Sequence, residues 1–298
     1  MVMRFHSSCA LILGAGLTLT SSVSAQRRVP VERTALGELT EAGIAESSGI
    51  AVSRRYAGVL WTHNDSGDDP VLYALSLTGH LLARYRVVGA RAVDWEDISL
   101  GPCPDPGMGP SCLFIADTGD NQERRTRVII YVVPQPDPTT DGAALRETQP
   151  AHALRVRYHD GPRDAEAIAV RPDGVVMIIT KGRSGPVLRY EISPSELLGD
   201  SLVLVPVDTM PIDPQPLRGR WVTGAAVSPS GERAVIGTHT ELYFFERSAS
   251  GWRLDGAGCW LGFPLRQYEA VDFLDEEFVV VTSEKTPGAD GVIHKLRC

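Results

Sequence analysis

Five polar residues stand at the head of similar apolar stretches: Ser48, Glu96, Glu166, Thr223 and Glu269. Each opens a run such as Ser-Gly-Ile-Ala-Val, Glu-Ala-Ile-Ala-Val or Thr-Gly-Ala-Ala-Val. Brought to one centre, three carboxylates and two hydroxyls conflict, because neighbouring carboxylates repel and one is driven to take up a proton. A hard cation resolves the conflict. Calcium takes six to eight oxygen ligands at roughly 2.3 to 2.6 Å, and the absence of His and Cys from the set argues against zinc. The competing reading is that these polar residues hydrogen-bond neighbouring units and hold no ion.

A second tier of residues surrounds the five. Lys181, Arg183, Arg124, Arg125 and Lys285 are cations, and Asp65, Asp117, Asp120, Asn64 and Asn121 are acceptors or further ligands. His63 and His239 close equivalent apolar runs. Arginine and lysine beside a cation neutralise phosphoryl oxygens while an aspartate orients water, so the expected chemistry is on a phosphate ester. Asp65, Asp117 and Asp120 are the expected catalytic acids, and the remaining cations, amides and histidines the substrate contacts. Asn64-Asp-Ser-Gly and Asp117-Thr-Gly-Asp-Asn are equally ordinary turn sequences. No Gly-x-Ser-x-Gly, phosphate-binding glycine loop, zinc spacing or basic helix is present.

Such residues need a scaffold that repeats. The five markers are 48, 70, 57 and 46 residues apart, and four antiparallel strands with tight turns take about 40 to 50 residues, the length of a propeller blade. The spacing predicts an all-β, five-bladed β-propeller with four antiparallel strands per blade. The fifth unit is short, so a strand near Val31–Leu36 is expected to complete it and close the ring. Strands are expected at 48-53, 58-63, 71-77 and 81-87, then at 96-100, 112-116, 127-133 and 152-158. Blade three is expected at 166-170, 175-180, 186-192 and 202-208, and blade five at 269-274, 278-283 and 291-297. The Pro-rich segment from Pro134 is expected to be a surface loop. Antiparallel order places the five markers and the loops at 63-70, 117-126, 181-186, 239-240 and 284-290 on one rim.

The markers also resemble the calcium-activated nucleotidases, or apyrases, a family of secreted five-bladed propellers. That family sets Ser, Glu, Glu, Ser and Glu around a channel calcium, and this chain reads Ser48, Glu96, Glu166, Thr223 and Glu269. Tyr268-Glu-Ala-Val-Asp-Phe is similar to the family's Tyr-Glu-Gly-Ile-Glu-Phe. Two departures stand against nucleotide hydrolysis: Asn64-Asp-Ser-Gly lacks the family's arginine, and paired arginines of blade three become Lys181-Gly-Arg183. The resemblance implies the propeller and its calcium more strongly than the reaction.

Residues 1-25 read as a signal peptide, with Arg4, an apolar run from Cys9 to Leu19 too short to span a bilayer, and Val23-Ser-Ala before the cleavage point. The remaining residues, 26-298, form one expected propeller domain, secreted or periplasmic. Without Arg4 the formal net charge of -8 becomes -9, which disfavours nucleic acid as a partner. Four cysteines remain, an even number suited to an oxidising compartment. Proximity pairs Cys103 with Cys112, and elimination pairs Cys259 with Cys298. The chain is thus expected to be a monomeric, exported, calcium-dependent hydrolase of nucleotides or other phosphate esters. The alternative is a non-catalytic propeller that binds an extracellular glycan, peptide or protein at the rim. A third possibility, glycoside hydrolysis, needs two carboxyl groups held apart in an open cleft.

Overall fold

A computed structural model describes residues 31–139, 144–262 and 267–298; the expected signal peptide lies outside them. Five mainly antiparallel sheets form a five-bladed β-propeller. The innermost strands are Ser47–Val52, Trp95–Gly101, Ala165–Val170, Val222–Val227 and Tyr268–Phe273. Each packs on the next around the ring, and the first packs on the last. The ring closes as the sequence requires. Glu32–Leu39 pairs antiparallel with Gly291–Arg297 and becomes the outer strand of blade five, so two segments distant in the chain share one sheet and hold the ring shut.

Five hydrophobic cores fill the five junctions between blades. They exist because strand residues alternate between faces: Ala51 joins the core shared with blade two, whereas Ile50 and Val52 join the core shared with blade five. Three inner strands, Ser47–Val52, Ala165–Val170 and Val222–Val227, are buried along their whole length. Their small residues permit the crowding. A Cβ on Gly49 would meet the Ile98 nitrogen at 2.6 Å.

Blade two departs from this rule in a useful way. Where the other blades carry Gly49, Ala167, Gly224 and Ala270 after the marker, it carries Asp97, which is fully buried. Its carboxylate accepts N–H groups from Ile98 at 2.8 Å, Ile168 at 3.0 Å and Ala225 at 3.3 Å. One side chain therefore ties blades two, three and four at the centre of the ring. Burial pushes its pKa well up despite those three donors.

The outer strands differ from expectation in two places. The segment expected as blade three's fourth strand divides: Ser201–Leu204 runs parallel to His152–Tyr158 on the edge of blade two, and only Asp208–Thr209 joins blade three. Pro206 lies between them and cannot donate to a ladder, so the chain breaks there and changes sheets. After the expected Pro-rich loop at 134-142, a short strand not foreseen, Leu145–Glu147, adds in parallel to Leu81–Arg86 of blade one. Among the described residues, blades one, two and four thus have five strands each, counting the short Cys259–Trp260. Both disulfides form as paired above, Cys103 to Cys112 and Cys259 to Cys298.

Candidate metal centre

The five markers share a backbone device. Pairing of each inner strand with its neighbour shifts register between Ser47 and Gly49, Trp95 and Asp97, Ala165 and Ala167, Val222 and Gly224, and Tyr268 and Ala270. The residue passed over is the marker every time. A bulge leaves its extra residue out of the ladder and re-aims the side chain, so the repeat seen in sequence is a repeated bulge.

The five side chains then part company. Ser48 Oγ donates to the Glu96 carbonyl at 2.5 Å, and Thr223 Oγ1 donates to the Tyr268 carbonyl at 3.2 Å. Both hydroxyls bind the backbone of an adjoining blade. Glu269 lies 3.2 Å from His239 Nδ1. Glu96 and Glu166 alone are drawn into a carboxylate centre, and they bring partners the sequence reading missed.

That centre consists of two overlapping trios, Asp65 with Asp94 and Glu96, and Glu96 with Asp164 and Glu166; within each, one ligand oxygen per residue lies within 4.8 Å of the others. Asp94 and Asp164 stand two residues before their markers, each immediately ahead of its inner strand. Reading the Asp-x-Glu shared by blades two and three as a unit would have found both. Room for the carboxylates comes from Gly119: a Cβ there would lie 1.9 Å from Glu96 Oε1 and 2.6 Å from Asp94 Cγ. Any side chain at 119 would fill the centre.

Lys181 Nζ meets Glu166 at 2.7 Å, and Arg183 Nε meets Asp164 Oδ2 at 2.7 Å. Two cations against five carboxylates leave the centre negative. Burial, followed by the charges of Glu166, Asp65 and Asp94, raises the Glu96 pKa well above the ordinary range. Burial also lifts Asp94 to about 6 and Glu166 to about 8, the latter even though Lys181 acts to lower it. Lys181 itself is held above its usual value, because attraction to Glu166 and Asp164 outweighs its burial. Glu96 is 5 % exposed, and its carboxylate accepts no hydrogen bond from the described residues.

Residues expected around this centre fall into three groups. Asp65 faces it. Asp117 and Asp120 are committed to their own loop: Arg125 Nη2 reaches Asp117 at 2.8 Å, and Asp120 Oδ2 accepts the Arg125 N–H at 2.6 Å. Asn64 is equally occupied, accepting from the Ala45 and Glu46 N–H groups and donating to the Gly43 carbonyl. Lys285 donates to the Glu41 carbonyl at 2.8 Å, Arg183 donates to Asn121, and Arg124 is exposed. His63 is fully buried, edge-on to Trp95 with ring centroids 5.4 Å apart, and burial lowers its pKa. Unforeseen was Trp221, whose ring lies 4.5 Å from the Arg183 guanidinium and 5.7 Å from Lys181 Nζ.

No protein-family model and no curated protein matches the sequence. Among solved structures the chain is similar to the PQQ-bound aldose sugar dehydrogenase of Streptomyces coelicolor, at 12% identity and a TM-score of 0.53, covering 90% of this chain and 98% of that one. It is also similar to the apo form of the soluble aldose sugar dehydrogenase of Escherichia coli, at 11% identity and a TM-score of 0.50, covering 89% and 99%. A glucose dehydrogenase aligns at 11% identity with a TM-score of 0.51, covering 89% and 98%. Likeness at this level speaks for the propeller architecture alone. The nucleotidase resemblance read from the markers finds no support in these comparisons.

Proposed function

We propose that this protein is an exported calcium-binding propeller, in which Asp65, Asp94, Glu96, Asp164 and Glu166 hold the cation at one mouth of the channel. The observation that carries the reading is Glu96, buried, shared by both acidic trios and with no hydrogen-bond partner for its carboxylate among the described residues. The donors fit calcium: all are hard oxygens, no His or Cys belongs to either trio, and Gly119 leaves space among them. A bound calcium would supply a Lewis acid for an anionic ligand.

The anionic ligand we infer is a phosphate ester, hydrolysed with Asp65 orienting water. Arg124 and Arg183 approach its oxygens, and Lys181 balances the charge of Glu166. Asp117 and Asp120 act in this reading on the Arg125 loop, each holding it through one oxygen, and do not touch the ester. The same commitment favours a second reading, a propeller that binds its calcium and an extracellular ligand without turnover. Clustering of the carboxylates on one centre speaks against the separated pair of a glycosidase. Two disulfides suit an oxidising compartment, and among the described residues no helix is long and apolar enough to cross a membrane.

The test is direct. After EDTA treatment and dialysis, calorimetric titration of the mature protein should show one calcium site that Glu96→Gln weakens about 100-fold. Phosphate release is then followed for a panel of nucleotides and simple phosphate esters, with and without calcium. Binding with calcium-dependent release supports the hydrolase; binding without release supports the ligand-binding propeller. No calcium binding at millimolar concentration overturns both.

A further inference from the structure

The opposite mouth of the channel is built from the other ends of the same strands. There Val52, Leu100, Val170 and Val227 line a cavity of about 550 Å³, and Pro102, Pro172 and Pro229 stand at its edge. That volume falls in the range of small-molecule sites, which are concave and apolar with a few fixed polar groups.

Among the described residues, the charged groups of the lining are three arginines and a single acid. Asp272 is the one acid in the lining, and its carboxylate is already engaged, accepting the Val52 N–H at 2.6 Å and the Phe273 N–H at 2.7 Å. Arg171 is tied to Asp173 and lies 3.7 Å from Glu191. Arg54 donates to the carbonyls of Leu274 and Phe273 at 2.8 and 2.6 Å. Arg55 is exposed and forms no ion pair among the described residues; its guanidinium lies 5.1 Å from the Tyr56 ring centre. Five guanidinium donors thus stand uncommitted beside an apolar floor.

We propose that this cavity is a second binding site, for a small organic carboxylate with an apolar body. The body lies on the valine and proline floor, and the carboxylate pairs with Arg55, whose planar fork matches its two oxygens. The lining shares no residue with the carboxylate centre, and Asp97 stands between, bonded to three blades. The site is therefore independent of the calcium reading.

Octanoate, 1-octanol and octyltrimethylammonium, each below its aggregation limit, separate head group from tail. Calorimetric titration of the mature protein should give one octanoate site, with both other head groups at least about tenfold weaker. Arg55→Ala should weaken octanoate about tenfold and leave octanol unchanged; Arg55→Lys should recover part of the loss. Leu100→Trp, which fills the floor, should abolish binding of all three. Should Leu100→Trp fail to fold, the exposed Arg55 series carries the test alone. Equal affinity for the three head groups, unchanged octanoate binding in Arg55→Ala, or no octanoate binding at millimolar concentration overturns the proposal.

Discussion

The two mouths of the channel are made by opposite ends of the same five strands, yet they differ in every chemical respect. At one mouth the strands begin with bulged polar residues, and five carboxylates gather in two trios that share Glu96, with Gly119 making room beside Glu96 and Asp94. At the other they end in Val, Leu and Pro around an apolar cavity edged by arginine. A bulge frees a side chain from the ladder's geometry, so one end of a strand is able to carry chemistry while its remainder stays in the core. The comparison teaches that a propeller blade has a polar start and an apolar finish, and that Asp97 keeps the two apart.

Removing that divider should have the largest effect. Asp97→Ala leaves the Ile98, Ile168 and Ala225 N–H groups without their acceptor and should cost about 3 kcal/mol, a fall of about 6 °C in Tm by calorimetry. An unchanged melting temperature would show that the centre of the ring is held by packing alone. Glu96→Gln should come next, weakening calcium about 100-fold in titration while leaving octanoate affinity at the other mouth unchanged. Coupled changes at both mouths would break the distinction between them.

Acid should stabilise the calcium-free protein. Asp94, Glu166 and Asp272 have folded pKa values of about 6, 8 and 6, above those of the unfolded chain, so the folded state binds more protons. Stability therefore falls as pH rises through this window and is greatest at its acid end. Tm is expected to drop by roughly 5 °C between pH 5.5 and 8 without calcium, and saturating calcium should flatten the slope. A Tm that rises with pH in EDTA would contradict the buried-carboxylate assignment. The smallest effect is expected from Lys181→Met, which removes the cation competing for Glu166 and should tighten calcium about fivefold. A weakened site would mean that Lys181 orders the carboxylates and does not compete with the ion.

Much of this architecture was legible because it is written in period and punctuation. Marker spacing gave five blades, the short last unit called for the strand at Glu32–Leu39, and cysteine proximity paired Cys103 with Cys112. The limits were equally physical. The markers were found by residue type, but type does not say whether a hydroxyl faces an ion or a neighbouring carbonyl, and Ser48 and Thr223 took carbonyls. His63 looked like a rim residue at the end of its run and is instead fully buried against Trp95. Asp117 and Asp120 each bind the Arg125 loop through one oxygen, a turn role that residue type alone does not separate from chemistry.

What the sequence determined alone was local: where strands start, where bulged polar residues fall, where turns and disulfide partners lie. Those depend on contacts close along the chain or on a repeat that displays itself. Only the tertiary structure decided that Asp94 and Asp164 join Glu96 and Glu166, that Gly119 makes room for them, and that Arg55 stands beside an apolar cavity. Each of these depends on the distance between separate strands or loops, which is fixed by how closely the blades pack and not by any pattern within one of them.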